Sequence, residues 1–143
     1  LKEPYFTKGI RIGDALVTKE AVRAVQLAKG AIAAGIEILT ESYGIRLSDI
    51  SRVVLAGGFG YYLDPKAAAA IGLLPKELTE RTVTGGNTAL GGAALVGSRI
   101  LTGQLRSWDD LRRRQELQIQ ILNLAEQVKF TETFLKKMDL QFF

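Results

Sequence analysis

The sequence predicts an α/β fold, a mixed sheet with packed helices, on three observations. Val53-Val54-Leu55-Ala56 is an apolar run without alternation that stops at Gly57-Gly58, the pattern of a strand buried on both faces. A long helix with apolar residues at three- and four-residue spacings precedes it. A second candidate strand, Glu80 to Thr84, again runs into paired glycines, Gly85-Gly86, and then into a helix.

The elements follow in chain order. Gly9-Ile10-Arg11-Ile12 and Ala15-Leu16-Val17 read as short strands or extended lead-in segments. Thr18 is a suitable N-cap for a helix reaching about Ser42. Ala21, Val25, Ala28, Ile32, Ile36 and Leu39 form its apolar stripe, which predicts the buried face. Gly44 supplies a left-handed stop. Ser48-Asp49-Ile50 turns the chain into the strand Arg52 to Ala56, expected to be central, parallel to a neighbour and covered by the long helix. Asp64 caps a short helix with Pro65 at its first position, and Gly72 ends it. Leu73-Leu74-Pro75 reads as a buried elbow.

Gly85-Gly86-Asn87-Thr88 opens a further helix capped by Asn87 or Thr88. That helix is rich in small residues, including Gly91, Gly92 and Gly97. Each interior glycine costs up to about 1 kcal/mol relative to alanine, so close packing by another helix, a sheet or a ligand is expected there. Ser107-Trp108-Asp109-Asp110 resembles a capping box for a helix to about Glu116. Leu117 to Ile121 alternates with period two and predicts a strand extended by Leu122-Asn123-Leu124, although Leu117, Ile121, Leu124 and Val128 also fit a continuing helix. Phe130, Phe134 and Met138 fall on one face of a final helix.

Composition narrows the functions. The 143 residues suit one modest domain. The sequence has no cysteine and no histidine. It therefore supplies no disulfide, no Fe–S ligand, no thiol nucleophile, and neither the usual general base nor the usual metal ligand. No apolar run approaches membrane-spanning length and the first residues do not read as a signal peptide, so a cytoplasmic protein without a membrane role is expected. The net charge is +4, from 19 basic and 15 acidic residues. Its tightest basic cluster, Arg112-Arg113-Arg114, follows Asp109-Asp110 and has no interleaved aromatics, so no nucleic-acid partner is expected.

Phosphate-binding glycine motifs of the Walker and Gly-x-Gly-x-x-Gly types are absent, as is Asp-x-Gly. What remains is a ligand pocket made of glycines and helix ends. Ligands of open α/β sheets bind beyond the carboxyl ends of strands, and Gly57-Gly58 lets a flat group lie against the backbone. A strand ending in a tight turn explains the same residues without a ligand.

Five motifs in one order carry a resemblance: Gln26-Leu27-Ala28-Lys29-Gly30-Ala31-Ile32, Val53 to Gly58, Tyr62-Leu63-Asp64-Pro65, Ile71-Gly72-Leu73-Leu74-Pro75, and Gly86-Asn87-Thr88-Ala89-Leu90. With the tail from Ile119 to Met138, they resemble the C-terminal region of the ferredoxin-like reductive activators of corrinoid proteins. That family lies within the actin, sugar-kinase and heat-shock-chaperone ATPase superfamily.

The resemblance implies a ribonuclease-H-like half of an actin/sugar-kinase-type ATPase, with ATP and Mg²⁺ held between two such halves. It implies that an N-terminal [2Fe-2S] domain delivers an electron to a Co(II) corrinoid protein, driven by ATP hydrolysis. It makes Gly57-Gly58 the adenosine motif, with Phe59 beside it, Gln26 and Lys29 reaching from the preceding helix, and Asn87 supporting the turn. Lys29 also reads as an ordinary solvated helix lysine. No catalytic residue and no metal ligand is assigned.

The cluster cysteines and the acidic Mg²⁺ and phosphate loops of the family are not in this sequence. Residues 1–143 are therefore expected to be one domain, the C-terminal part of a longer activator's ATPase domain, with 107–143 as an extension packed on it. The chain alone is expected neither to hydrolyse ATP nor to reduce a corrinoid. The expected partner is a corrinoid protein, with a homodimer as a further expectation. The alternative is a structural, partner-docking or dimerisation module without a nucleotide role. A related activator serving benzoyl-CoA-type reductases fits less well, because those carry cluster cysteines.

Overall fold

The computed structural model describes residues 9–107, 109, 110, 113 and 121–140. The fold is mixed α/β, with two small sheets and packed helices. Strands β1 (Ile10–Ile12) and β2 (Ala15–Val17) pair antiparallel about a turn at Gly13-Asp14. Helix α1 (Lys19–Tyr43) begins where the Thr18 hydroxyl oxygen accepts the Ala21 N–H at 3.1 Å. It ends at Gly44, whose φ of 67° is the left-handed stop. A 3₁₀ turn, Leu47–Asp49, leads into β3 (Val53–Ala56).

Beyond β3 come α2 (Gly57–Tyr62) and α3 (Pro65–Ala70). The Asp64 carboxylate caps α3, accepting the Ala67 N–H at 2.6 Å, and Gly72 turns out of it at φ 75°. A 3₁₀ segment, Lys76–Arg81, feeds β4 (Thr82–Gly86), which starts two residues later than the sequence suggests. Helix α4 (Thr88–Leu101) follows, and then a 3₁₀ turn at Leu124–Glu126 and helix α5 (Phe130–Met138). Ser107 accepts the Asp110 N–H at 3.2 Å, as a cap should.

The core is the cluster Ala68, Leu73, Leu74 and Leu78, against which Leu47, Ile50, Val53, Leu63 and Ile71 pack. The Leu73-Leu74 elbow is thus the centre of the hydrophobic interior. β3 pairs parallel with β4, as expected. It is not buried on both faces. Among the described residues the sheet has two strands, each an edge, and burial alternates along β3, with Val53 and Leu55 half-buried and Val54 and Ala56 exposed. Val53 packs on the core, and the opposite face has no covering layer among the described residues.

The buried face of α1 also differs from the expected stripe. Ala21, Val25, Ala28, Ile32 and Leu39 are exposed and Ile36 is half-buried. The buried positions are Lys29, Gly30, Ala33, Ala34, Gly35 and Ile38. The partner of α1 is α5, not β3. Close approach of two backbones selects small residues over bulky ones. A Cβ on Gly30 would lie 2.9 Å from Met138 Cγ, and one on Gly35 would lie 3.3 Å from Leu124 Cδ1.

Phe130, Phe134 and Met138 do share a face of α5, and the two rings stack with centroids 5.9 Å apart. The expected strand at Leu117 to Ile121 lies largely outside the described residues. Its extension is not a strand: residues 121–123 carry no regular structure, and the Asn123 side chain caps the turn at Leu124. The close packing expected on α4 is not found among the described residues, since a Cβ on Gly91, Gly92 or Gly97 would meet no atom within 4 Å.

Candidate functional site

The parallel pairing brings two glycine-bearing strand ends side by side. Ala56 is in register with Gly86, after an irregularity between Leu55 and Ala56. Gly57 has φ 81° and Gly86 has φ 62°, both in the left-handed region that side chains disfavour. A Cβ built on Gly57 or Gly58 would meet nothing within 4 Å, so the backbone there fronts open space. Next to Gly86, the Asn87 side-chain oxygen Oδ1 accepts the Leu90 N–H at 3.0 Å and caps α4. Phe59 is exposed on α2, and the Tyr61 ring reaches the vicinity of Gly86, with Cδ2 4.0 Å from its Cβ position.

Other glycines here have a packing role instead. A Cβ on Gly60 would lie 2.9 Å from the Leu55 carbonyl carbon, and one on Gly85 would lie 2.7 Å from Val54 Cγ1. They hold α2 and β4 tightly against β3. Gly57, Gly58, Phe59 and Asn87 thus follow the carboxyl ends of β3 and β4, where the backbone of Gly57 and Gly58 is open.

Lys29 is placed differently. It is 2% exposed, and its ammonium donates to the Asp139 carbonyl oxygen at the carboxyl end of α5. The negative end of a helix favours a cation. A Cβ on Gly72 would lie 3.3 Å from Lys29 Nζ, so this glycine also makes room for the ammonium. Burial pushes the Lys29 pKa below the usual lysine value; the Asp139 carboxylate opposes that shift and Lys137 adds to it. Lys29 lines a cavity of about 540 Å³ with Glu37, Thr40, Gly72, Lys137 and Asp139 among its walls. Gly57, Gly58, Phe59, Gln26 and Asn87 do not line it. Gln26 lies half-buried on α1, one turn before Lys29.

Sequence reasoning missed the partners of Lys29. The Glu37–Lys137 ion pair at 2.7 Å and the Glu41–Lys129 pair at 3.4 Å tie the same two helices. A signal existed: Gly30 interrupts a helix interior directly beside the lysine, and such a glycine marks close approach.

Among the described residues, no group of three or more His, Cys, Asp or Glu side chains is placed to hold a metal ion, and the sequence holds no cysteine. No helix among the described residues is long and apolar enough to cross a membrane.

Comparison with known proteins follows the same line. The chain is similar to the corrinoid activation enzyme RamQ of Eubacterium limosum, with 54% identity over 63 residues, covering 44% of this chain and 11% of RamQ. Its structure is similar to that of a protein described as a reductive activator for corrinoid, iron-sulfur protein, with TM-score 0.67 and 30% identity, covering 86% of this chain and 19% of that one. The chain thus spans between a tenth and a fifth of the length of these relatives. Residues 7–142 match the family described as the C-terminal domain of RACo, the ASKHA domain, and the chain belongs to that family.

Proposed function

We propose that this chain is the adenosine-binding C-terminal part of an ATP-dependent reductive activator that reduces Co(II) corrinoid proteins to Co(I). The family and both relatives support the activator reading. The observation that supports the adenosine site is the pairing of Ala56 with Gly86, which sets Gly57-Gly58 and Asn87 just beyond the carboxyl ends of two parallel strands, with open space at the Cβ positions of Gly57 and Gly58. In this reading the fold is a ribonuclease-H-like half. The base and ribose lie against Gly57 and Gly58, bounded by Phe59 and Asn87, while Gln26 and Lys29 supply hydrogen bonds from α1. Lys29 does so only when it leaves Asp139.

ATP, when bound with Mg²⁺, supplies the driving force for the uphill electron transfer, and a [2Fe-2S] domain elsewhere in the longer protein supplies the electron. This chain contributes backbone clearance, the capped turn at Asn87 and the framework that holds them. The test is calorimetric ATP binding to the full-length protein and to its Gly58→Val variant, with thermal unfolding as a folding control. The variant is expected to fold and to lose most of its affinity. Unchanged affinity in a folded variant would assign these glycines to the turn alone. The isolated chain is expected to bind only at about millimolar level, near −4 kcal/mol, and to show no ATP turnover, because phosphoryl transfer needs positioned charges.

A second reading, a docking module for the corrinoid protein or a second copy, is favoured by the apolar face of α1 that carries Val25, Ile32 and Leu39, all exposed. Sedimentation of the full-length protein and of a Val25→Glu, Ile32→Glu variant tests it: dissociation or loss of corrinoid-protein binding in the variant supports this module.

A further inference from the structure

We propose that the cavity walled by α1, α5 and the segments 45–47 and 72–77 is a second ligand site, for a small organic anion with an acidic head and an apolar body, and that Lys29 holds the head. The site is separate from the strand ends, since none of Gly57, Gly58 and Asn87 lines the cavity, and it does not depend on the adenosine reading.

The cavity is of ligand size. Its volume is about 540 Å³, within the range of roughly 300–1,000 Å³ usual for small-molecule pockets. Its floor joins one charge to apolar surface. Lys29, Ala33, Ala69 and Leu74 are all buried there, and half-buried Ile36 and Leu47 continue the apolar wall outward. The ammonium itself sits at this floor. Its Nζ lies 3.3 Å from the Cβ position of Gly72 and donates to the Asp139 carbonyl oxygen, and both of those residues line the cavity.

The charge there is short of partners. An ammonium has three donors. Lys29 spends one on a neutral carbonyl, and among the described residues it makes no other hydrogen bond and no ion pair. A buried charge so placed is costly, and an anionic head entering the cavity supplies the missing counter-charge. The rim has the same bias, with five basic and three acidic side chains lining the cavity. Three of the basic ones are already paired: Arg46 with Asp49, Lys136 with Glu132 and Lys137 with Glu37. Lys76 is exposed and has no ion pair among the described residues, which leaves it at the mouth, with Lys29 at the floor, to face an anion. While Lys29 stays on Asp139 it serves this cavity; the ribose contact proposed above needs it elsewhere.

The experiment titrates the full-length protein calorimetrically with hexanoate, monohexyl phosphate and hexanol, with thermal unfolding as the folding control. At least one of the two anions is expected to bind at about millimolar level or tighter, and the one that binds tells a carboxylate from a phosphate head. Hexanol, with the same body and no charge, is expected to bind at least tenfold more weakly. Lys29→Met should weaken the anion by about ten- to a hundredfold, the scale of a lost hydrogen bond to a charged group, and leave hexanol unchanged. Ile36→Trp, which fills the apolar wall, should weaken both, and it tests the cavity independently if Lys29→Met does not fold. Lys76→Gln should cost only a few-fold, and less at high salt.

Failure of both anions to bind overturns the proposal. So does hexanol binding as tightly as the anions, or unchanged anion affinity in folded Lys29→Met or Ile36→Trp. Gly58→Val keeps this site apart from the adenosine site. It should leave anion binding intact, and loss of anion binding in the folded variant would place the probe at the strand ends and overturn the second site. Unchanged ATP affinity in Gly58→Val removes the adenosine reading alone.

Discussion

Gly30 and Met138 are packed so closely that a Cβ on Gly30 would lie 2.9 Å from Met138 Cγ and 3.3 Å from the Met138 nitrogen. The contact lets α5 lie on α1. In an exposed helix interior, Gly→Ala adds up to about 1 kcal/mol of stability. Here the methionine can turn aside, but the backbone of α5 cannot do so without lifting the helix. Gly30→Ala is therefore expected to lower stability by about 1–2 kcal/mol, a typical overpacking cost. Gly92→Ala, with open space around it, is the control, expected to raise stability by about 0.5–1 kcal/mol. A rise in melting temperature for Gly30→Ala would mean that the two helices are not in contact there.

Two glycines near the candidate site separate folding from binding. Gly60→Ala would place a Cβ 2.9 Å from the Leu55 carbonyl carbon, a backbone atom with little freedom to move. It is expected to destabilise the protein by about 1–3 kcal/mol. Gly58→Ala meets no atom within 4 Å and is expected to leave the melting temperature unchanged within error while weakening ATP binding. Denaturant unfolding of both variants beside calorimetry checks the contrast.

The caps of α3 and α4 are expected to contribute similarly. Asp64→Ala removes the acceptor of the Ala67 N–H, and Asn87→Ala that of the Leu90 N–H. Each should cost about 1 kcal/mol, with Asp64→Asn retaining most of the effect. Asn87→Ala alone should also weaken nucleotide binding, since Asn87 directly follows the end of β4.

Lys29 predicts a pH dependence. Its pKa is lowered in the folded state by burial, so between that pKa and the ordinary lysine value of 10.5 the unfolded chain binds more protons. Stability contributed by this group therefore rises as pH increases through that window. The unmodified protein should gain stability relative to Lys29→Met as pH climbs toward 10.5, measured by denaturant midpoints at matched ionic strength. A constant difference across that range would mean that the ammonium is not desolvated.

Punctuation of this chain was legible in its sequence because it is local. Thr18, Gly44, Asp64-Pro65, Gly72 and Asn87 stop or start helices through contacts within four residues, and the structure has each of them in that role. The glycines that follow β3 and end β4 were legible for the same reason. Tertiary structure alone decided which faces are covered. The apolar stripe of α1 promised burial by hydrophobic mass, yet α5 packs at Gly30 and the Leu124 turn at Gly35, because two backbones approach most closely where side chains are smallest. The role of Lys29 followed from that choice. Its hydrogen-bond partner lies 110 residues away in the chain, beyond the reach of any periodicity or motif on α1. Likewise, the unbroken apolar run of β3 could not reveal that only one of its faces packs on the core among the described residues, since burial on the second face depends on a layer outside the strand itself.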